Sequence, residues 1–169
     1  KMGTDPLDAL LEVILRNQGA DHGVYFTMTE QDVCNVIADP LVMIGSDGAV
    51  AAPEEFVHPR YSGTFPRVLG RYARELKLFS MEEAVRKMTS LPAARLGLSG
   101  KGILRPGMDA DLVLFDPETV ADRGTYERPM TPPVGIEAVW VDGRLGACRG
   151  KTTGERAGRV LRYWTPDDE

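Results

Sequence analysis

The sequence predicts an α/β protein whose α/β part gives way to a small β-rich region near residue 98, and three observations carry that expectation. Capped helical patterns alternate with short apolar runs up to about residue 50, the rhythm of an α/β fold. One run, Leu41 to Gly45 (LVMIG), is apolar at every position, as in a parallel strand covered on both faces. After Leu98 glycine becomes frequent, and the turn signal Asp142-Gly143 lies between two strand patterns.

Taken in order, Thr4-Asp5-Pro6 supplies an N-cap and a first-turn proline for a helix carrying Leu7, Leu10, Leu11, Ile14 and Leu15 on one face. Asn17, Gln18 and Gly19 end it. Gly23 to Thr27 (GVYFT) predicts a short strand. Thr29-Glu30-Gln31-Asp32 has the form of a capping box, opening a helix with Val33, Val36 and Ile37 inward that Asp39-Pro40 stops. The strand Leu41 to Gly45 follows, then a long loop over 49–64. Thr64 and Pro66 start a helix with Val68, Leu69, Tyr72 and Leu76 on one side, and Ser80-Met81-Glu82-Glu83 caps another that runs through Met88. Beyond residue 98, Lys101 to Leu104 leads through the turn Arg105-Pro106-Gly107 to a strand over Ala110 to Phe115. Prolines make 116–133 a loop; Val134 to Val141 and Arg144 to Cys148 form a hairpin, and Arg159 to Tyr163 a last strand. Two strands with helices cannot close a barrel, so the α/β part is expected to be incomplete.

Bulk properties narrow the function. The 169 residues are 43% hydrophobic and 27% charged, the balance of a globular protein rather than a disordered one. A net charge of -5 and a pI near 5.1 argue against nucleic-acid or anionic-membrane partners, which require a basic surface. The two cysteines, Cys34 and Cys148, show no CxxC spacing and no neighbouring histidine, so neither a disulfide framework nor a zinc knuckle is indicated and a reducing cytoplasm is expected. Nothing has the form of a signal peptide, and no apolar run approaches the roughly 20 residues that cross a bilayer.

Two ordered stretches carry a family resemblance. Thr89-Ser90-Leu91-Pro92-Ala93-Ala94-Arg95-Leu96-Gly97-Leu98, followed by Gly102 to Asp116 (GILRPGMDADLVLFD), resembles the closing signature of the amidohydrolase superfamily. "SDG", "HPR" and "GTFPRVLGRYAREL", with the ending "VWVDGRLGACRGKTTGERAGRVLR", are similar to the N-acyl-D-amino-acid deacylases, or D-aminoacylases. The resemblance implies the last strands and helices of a TIM-like barrel over residues 1–98, then a small β-sandwich segment over 99–169, together a C-terminal portion of a longer enzyme. It implies a zinc-dependent hydrolase. With only His22 and His58 and no HxH pair, this chain by itself is not expected to build a zinc site, which needs three protein ligands plus water.

On that resemblance Asp47 is the catalytic residue, following Leu41 to Gly45 at the strand end where barrel active sites lie. The family's last-strand carboxylate accepts a proton from metal-bound water and returns it to the leaving amine, and it can also touch the metal. From local pattern alone, Asp47-Gly48 reads first as a turn that needs no function, and the resemblance reverses that order. Arg60 of His58-Pro59-Arg60 is the implied clamp on the substrate carboxylate, because guanidinium offers two parallel hydrogen bonds; the competing reading is a surface arginine in a mobile loop. His58 beside a proline is more often structural, and His22 reads as a solvated turn residue. Ser46 has no histidine base nearby in sequence. Asp109 and Asp111 are expected to cap or solvate a strand, and Arg67, Arg71 and Arg74 to form a solvated helix face. Gly150, Gly154 and Gly158 are too widely spaced for a phosphate loop.

The implied whole-protein activity is hydrolysis of the amide of N-acyl-D-amino acids, a small-molecule substrate, with this chain inactive alone. A cyclic-amide hydrolase of the dihydroorotase type shares the more general signatures, though not the "HPR" and "GTFPR" segments. A non-catalytic module is the remaining alternative, self-associating through its exposed barrel remnant, since Leu41 to Gly45 requires cover on both faces.

Overall fold

The computed structural model describes residues 3–19, 23–49, 55 and 57–161. The element order is α1 (Pro6–Arg16), α2 (Glu30–Ala38), α3 (Arg60–Arg67) running on into a π-helical segment (Val68–Glu75), α4 (Met81–Met88), α5 (Ser90–Arg95), and the strands β1 (Leu112–Phe115), β2 (Ile136–Val141), β3 (Arg144–Cys148) and β4 (Lys151–Thr152). Among the described residues no helix is long and apolar enough to cross a membrane.

Helix starts follow their caps. Asp5 accepts the Leu7 N–H at 2.9 Å with Pro6 in the first turn, Thr29 and Asp32 cap each other reciprocally, and Ser80 accepts the Glu83 N–H. α1 forms as expected, yet its apolar face stays exposed among the described residues. In α2, Val33 and Ile37 turn inward but Val36 points out to solvent. The helix predicted from Thr64 begins earlier, at Arg60, and Pro66 sits near its end rather than its start. Immediately beyond, the π-helical segment absorbs the break: the Leu76 N–H reaches back five residues to the Arg71 carbonyl at 2.9 Å.

The core lies where the π-helical segment meets α4 and the loop after β1. Val68, Leu69, Tyr72, Ala73, Ala84 and Val120 are buried there, with Val33, Ile37, Ile44, Phe79, Phe115 and Ile136 packed around them. This cluster spans the composition shift at residue 98. Val120 is fully buried between two glycines: a Cβ on Gly70 would stand 2.4 Å from the Val120 carbonyl oxygen, and one on Gly135 2.5 Å from its Cα. Two of the three arginines expected on a solvated face help fix this loop. Arg74 donates to the Pro117 and Val120 carbonyls at 3.0 and 2.7 Å, and Arg67 pairs with Asp122 at 3.3 Å while lying over the Tyr72 ring; only Arg71 stays local, with Glu75.

The four strands make one antiparallel sheet in the order β1-β2-β3-β4. Asp142 and Gly143, with φ of 51° and 75°, form the predicted tight turn between β2 and β3. Arg149-Gly150 repeats the device to add β4, which sequence reasoning missed. The predicted strand 159–163 is not one over 159–161, and its remainder lies outside the described residues. Asp109 and Asp111 are held by Lys101, with Arg159 also on Asp109, so they form an ion-pair cluster beside β1 rather than simply solvating it.

Two predicted strands, 23–27 and 41–45, are not strands among the described residues: neither is laddered, and Leu41 lies in a turn. Their composition suits a strand; a ladder also needs a neighbouring strand to exchange hydrogen bonds with. Over 41–46 the chain alternates, with Val42, Ile44 and Ser46 partly covered and Leu41, Met43 and Gly45 exposed. Cover on one face replaces the cover on both faces that the apolar run led us to expect.

Candidate active site

Ser46, Asp47 and Gly48 form a local turn closed by a side chain, just after the 41–45 segment. The Ser46 hydroxyl accepts the Gly48 N–H at 3.2 Å, and Asp47 adopts φ 47°, a left-handed conformation that aspartate tolerates better than most residues. Gly48 passes close to α3: a Cβ there would lie 3.2 Å from Tyr61 Cα. The turn therefore places the Asp47 carboxylate beside the first residue of α3.

That residue is Arg60, and its Nη2 lies 2.7 Å from Asp47 Oδ2. The two residues singled out from sequence meet directly. The Asp47 side chain is 84% exposed and that of Arg60 42%, so the pair is screened by water and worth at most about 1 kcal/mol. Either group can exchange its partner at little cost.

His58 anchors the start of α3. Pro59 contributes no side-chain cap, and the His58 Nδ1 accepts the Arg60 N–H at 3.0 Å instead. A neutral imidazole that accepts at Nδ1 carries its proton on Nε2, which makes a long 3.5 Å contact with the Tyr126 hydroxyl. The Tyr126 ring stands edge-on to both His58 and Phe26, with centroids 5.3 Å apart in each case. Tyr126 belongs to the loop after β1, some 70 residues along the chain, and no local pattern marked it.

Burial, and then the neighbouring Arg60 charge, hold the His58 imidazolium below its ordinary pKa of 6.5, with Asp47 opposing. The folded protein thus binds fewer protons at this ring than the unfolded chain, so its contribution to stability is full above 6.5 and is lost as pH falls from there through the lower folded value. An NMR titration of the His58 ring is expected to give a midpoint under 6.5 that moves up in Arg60→Gln; a midpoint at or above 6.5 would contradict this account.

Among the described residues no three His, Cys, Asp or Glu side chains converge as metal ligands would. His22 lies outside the described residues. A zinc centre of three protein ligands is therefore not built by the described residues. Among the described residues Ser46 has no imidazole partner, and it serves the turn.

Comparison with known proteins adds the context. Residues 27–146 match the family model described as "Amidohydrolase family". A D-aminoacylase from Alcaligenes xylosoxydans xylosoxydans is 53% identical over 138 residues, which is 82% of this chain and 28% of that protein. A solved D-aminoacylase structure superposes with a TM-score of 0.77 at 51% identity, covering 81% of this chain and 28% of the other. The N-acyl-D-glutamate deacylase of Bordetella bronchiseptica, solved with zinc and a phosphonate that mimics the tetrahedral intermediate, gives 0.68 at 44% identity over 76% of this chain and 27% of its own. The chain thus spans little more than a quarter of the length of these relatives. With the family model covering most of its length, and the site turn and strands β1 and β2 inside the matched span, the chain belongs to the amidohydrolase family.

Proposed function

We propose that this chain is the C-terminal portion of an N-acyl-D-amino-acid deacylase, supplying Asp47 as general base and Arg60 as the clamp on the substrate carboxylate. The observation that carries the reading is the 2.7 Å approach of the two groups. In an N-acyl amino acid only three bonds separate the carboxylate carbon from the scissile carbonyl carbon. A base and a clamp acting on one such molecule must therefore be near neighbours. The exposed pair parts at little cost, so Arg60 can exchange Asp47 for a substrate carboxylate, which its guanidinium holds with two parallel hydrogen bonds.

In this reading Asp47 takes the proton of the attacking water and returns it to the departing amine. The zinc named in the Bordetella relative would be held by ligands elsewhere in the longer protein, and Asp47 is the carboxylate of this chain that could also touch it. The segments 23–27 and 41–45 are read as the last strands of a TIM-like barrel, paired there by strands of the same protein. Residues 1–98 would then complete that barrel, and 99–169 a small β-sandwich. The cytoplasm suits the two free cysteines.

The complete protein, assayed with zinc against paired N-acyl-D- and N-acyl-L-amino acids, is expected to hydrolyse the D series; absence of turnover on both sinks the proposal. Arg60→Gln is expected to lower kcat/KM about 10- to 100-fold, mainly through KM, the size of a lost charge-assisted pair. An unchanged KM would remove Arg60 from substrate binding.

A further inference from the structure

Among the described residues, Lys87 on α4 is the buried charged side chain, with no exposed surface. Its ammonium sits among backbone oxygens. It donates to the Asp39 carbonyl and, at 3.0 Å, to the Val42 carbonyl; Glu83 Oε1 is 3.9 Å away and the Phe79 ring centroid 5.7 Å. The carbonyl of Lys87 itself accepts the Ile44 N–H at 3.0 Å, and the adjacent Arg86 donates to the Pro40 carbonyl at 2.6 Å.

One short stretch of α4 therefore grips the chain at residues 39, 40, 42 and 44, the segment that runs straight into Asp47. Removing an ammonium from water is costly, and an apolar side chain of like volume commonly fills such a place as stably. What an apolar replacement cannot do is point to chosen carbonyls and so fix the path of an unladdered segment. That segment has no strand partner among the described residues to set its height.

We propose that Lys87 is a positioning residue for Asp47, setting where the carboxylate stands relative to Arg60. The proposal rests on the assignment of Asp47 as the base. Arg60 is held separately, by α3 and His58, so displacing the 39–47 segment moves the base and leaves the clamp in place.

The test uses the complete enzyme with zinc and an N-acyl-D-amino acid, kcat being expressed per folded molecule. Lys87→Met keeps the stem and removes the donors; kcat is expected to fall about 10- to 100-fold, the scale of an ångström-sized misplacement, with KM within about twofold. Lys87→Arg, which restores a cationic donor, is expected to recover part of the loss. A kcat within about twofold of the parent in Lys87→Met overturns the proposal, and so does a loss carried mainly by KM. Should neither variant fold, hydrogen exchange of the parent decides: an Ile44 amide as slow as the core supports the grip on this segment, and one as fast as an open loop overturns it. Asp47→Asn is assayed alongside. If it retains parental kcat, the base assignment has failed; if it is inactive while Lys87→Met is normal, only the positioning role has failed.

Discussion

Asp47→Asn in the complete enzyme is expected to lower kcat about 10²- to 10⁴-fold without raising KM, because asparagine keeps the shape of the turn and loses the proton acceptor. The geometry gives KM a definite sign. Arg60 spends the substrate-free state against the Asp47 carboxylate, 2.7 Å away, and a neutral amide competes less well for a guanidinium. A substrate carboxylate should then bind at least as tightly as before. Steady-state kinetics against an N-acyl-D-amino acid measure both constants. A kcat within a few-fold of the parent would end the case for Asp47 as base, and a large rise in KM would mean that it binds substrate instead. Its left-handed backbone adds a control: Asp47→Gly relaxes φ 47° while removing the carboxylate, so stability should hold and kcat should fall as in Asp47→Asn.

The largest expected effect on stability lies away from the site, at Gly135. Its φ is 74°, and an added Cβ would meet the Val120 Cα and nitrogen at 2.5 Å and the Thr119 carbonyl carbon at 2.8 Å. All are backbone atoms, which cannot rotate aside. The left-handed conformation costs about 1–2 kcal/mol and the overpacking about 1–3 kcal/mol more, so Gly135→Ala is expected to lose about 2–5 kcal/mol and about 5–15 °C in Tm. Gly154→Ala separates the two contributions. With φ 82° and nothing within 4 Å, it should lose only the backbone part, about 1 kcal/mol. Thermal unfolding that gave equal losses at the two positions would show that contact with Val120 contributes nothing.

Features set by short-range chemistry were legible in the sequence. The caps at Asp5, Thr29 and Ser80, the Asp142-Gly143 turn and the burial of Val68, Leu69 and Tyr72 all depend on neighbours within a few residues or on one helical face. The strands at 23–27 and 41–45 depend on a neighbour that local pattern cannot supply, and among the described residues it is not there. The start of α3 was missed because its cap is a ring nitrogen two residues before Arg60, a signal no standard N-cap preference contains. Asp47 and Arg60 were each found singly, on motif resemblance; their contact was not foreseen, since the loop between them could have taken many paths. Tyr126 and Lys87 were missed for opposite reasons. Tyr126 reaches His58 across the fold, while Lys87 follows directly on another basic residue, Arg86, and only its complete burial sets it apart.

The loop between β1 and β2 limits how this family can be recombined. Val120 is closed in by Gly70 and Gly135, Asp122 pairs with Arg67 of α3, and Tyr126 rests on His58 beside the proposed clamp. A chimera that joined residues 1–98 to the following segment of a related deacylase would therefore exchange more than a peripheral sheet. It would exchange the floor of α3. Swaps that carry residues 116–135 together with 60–74 keep these contacts native, whereas a crossover at the change in composition near 98 divides them between parents.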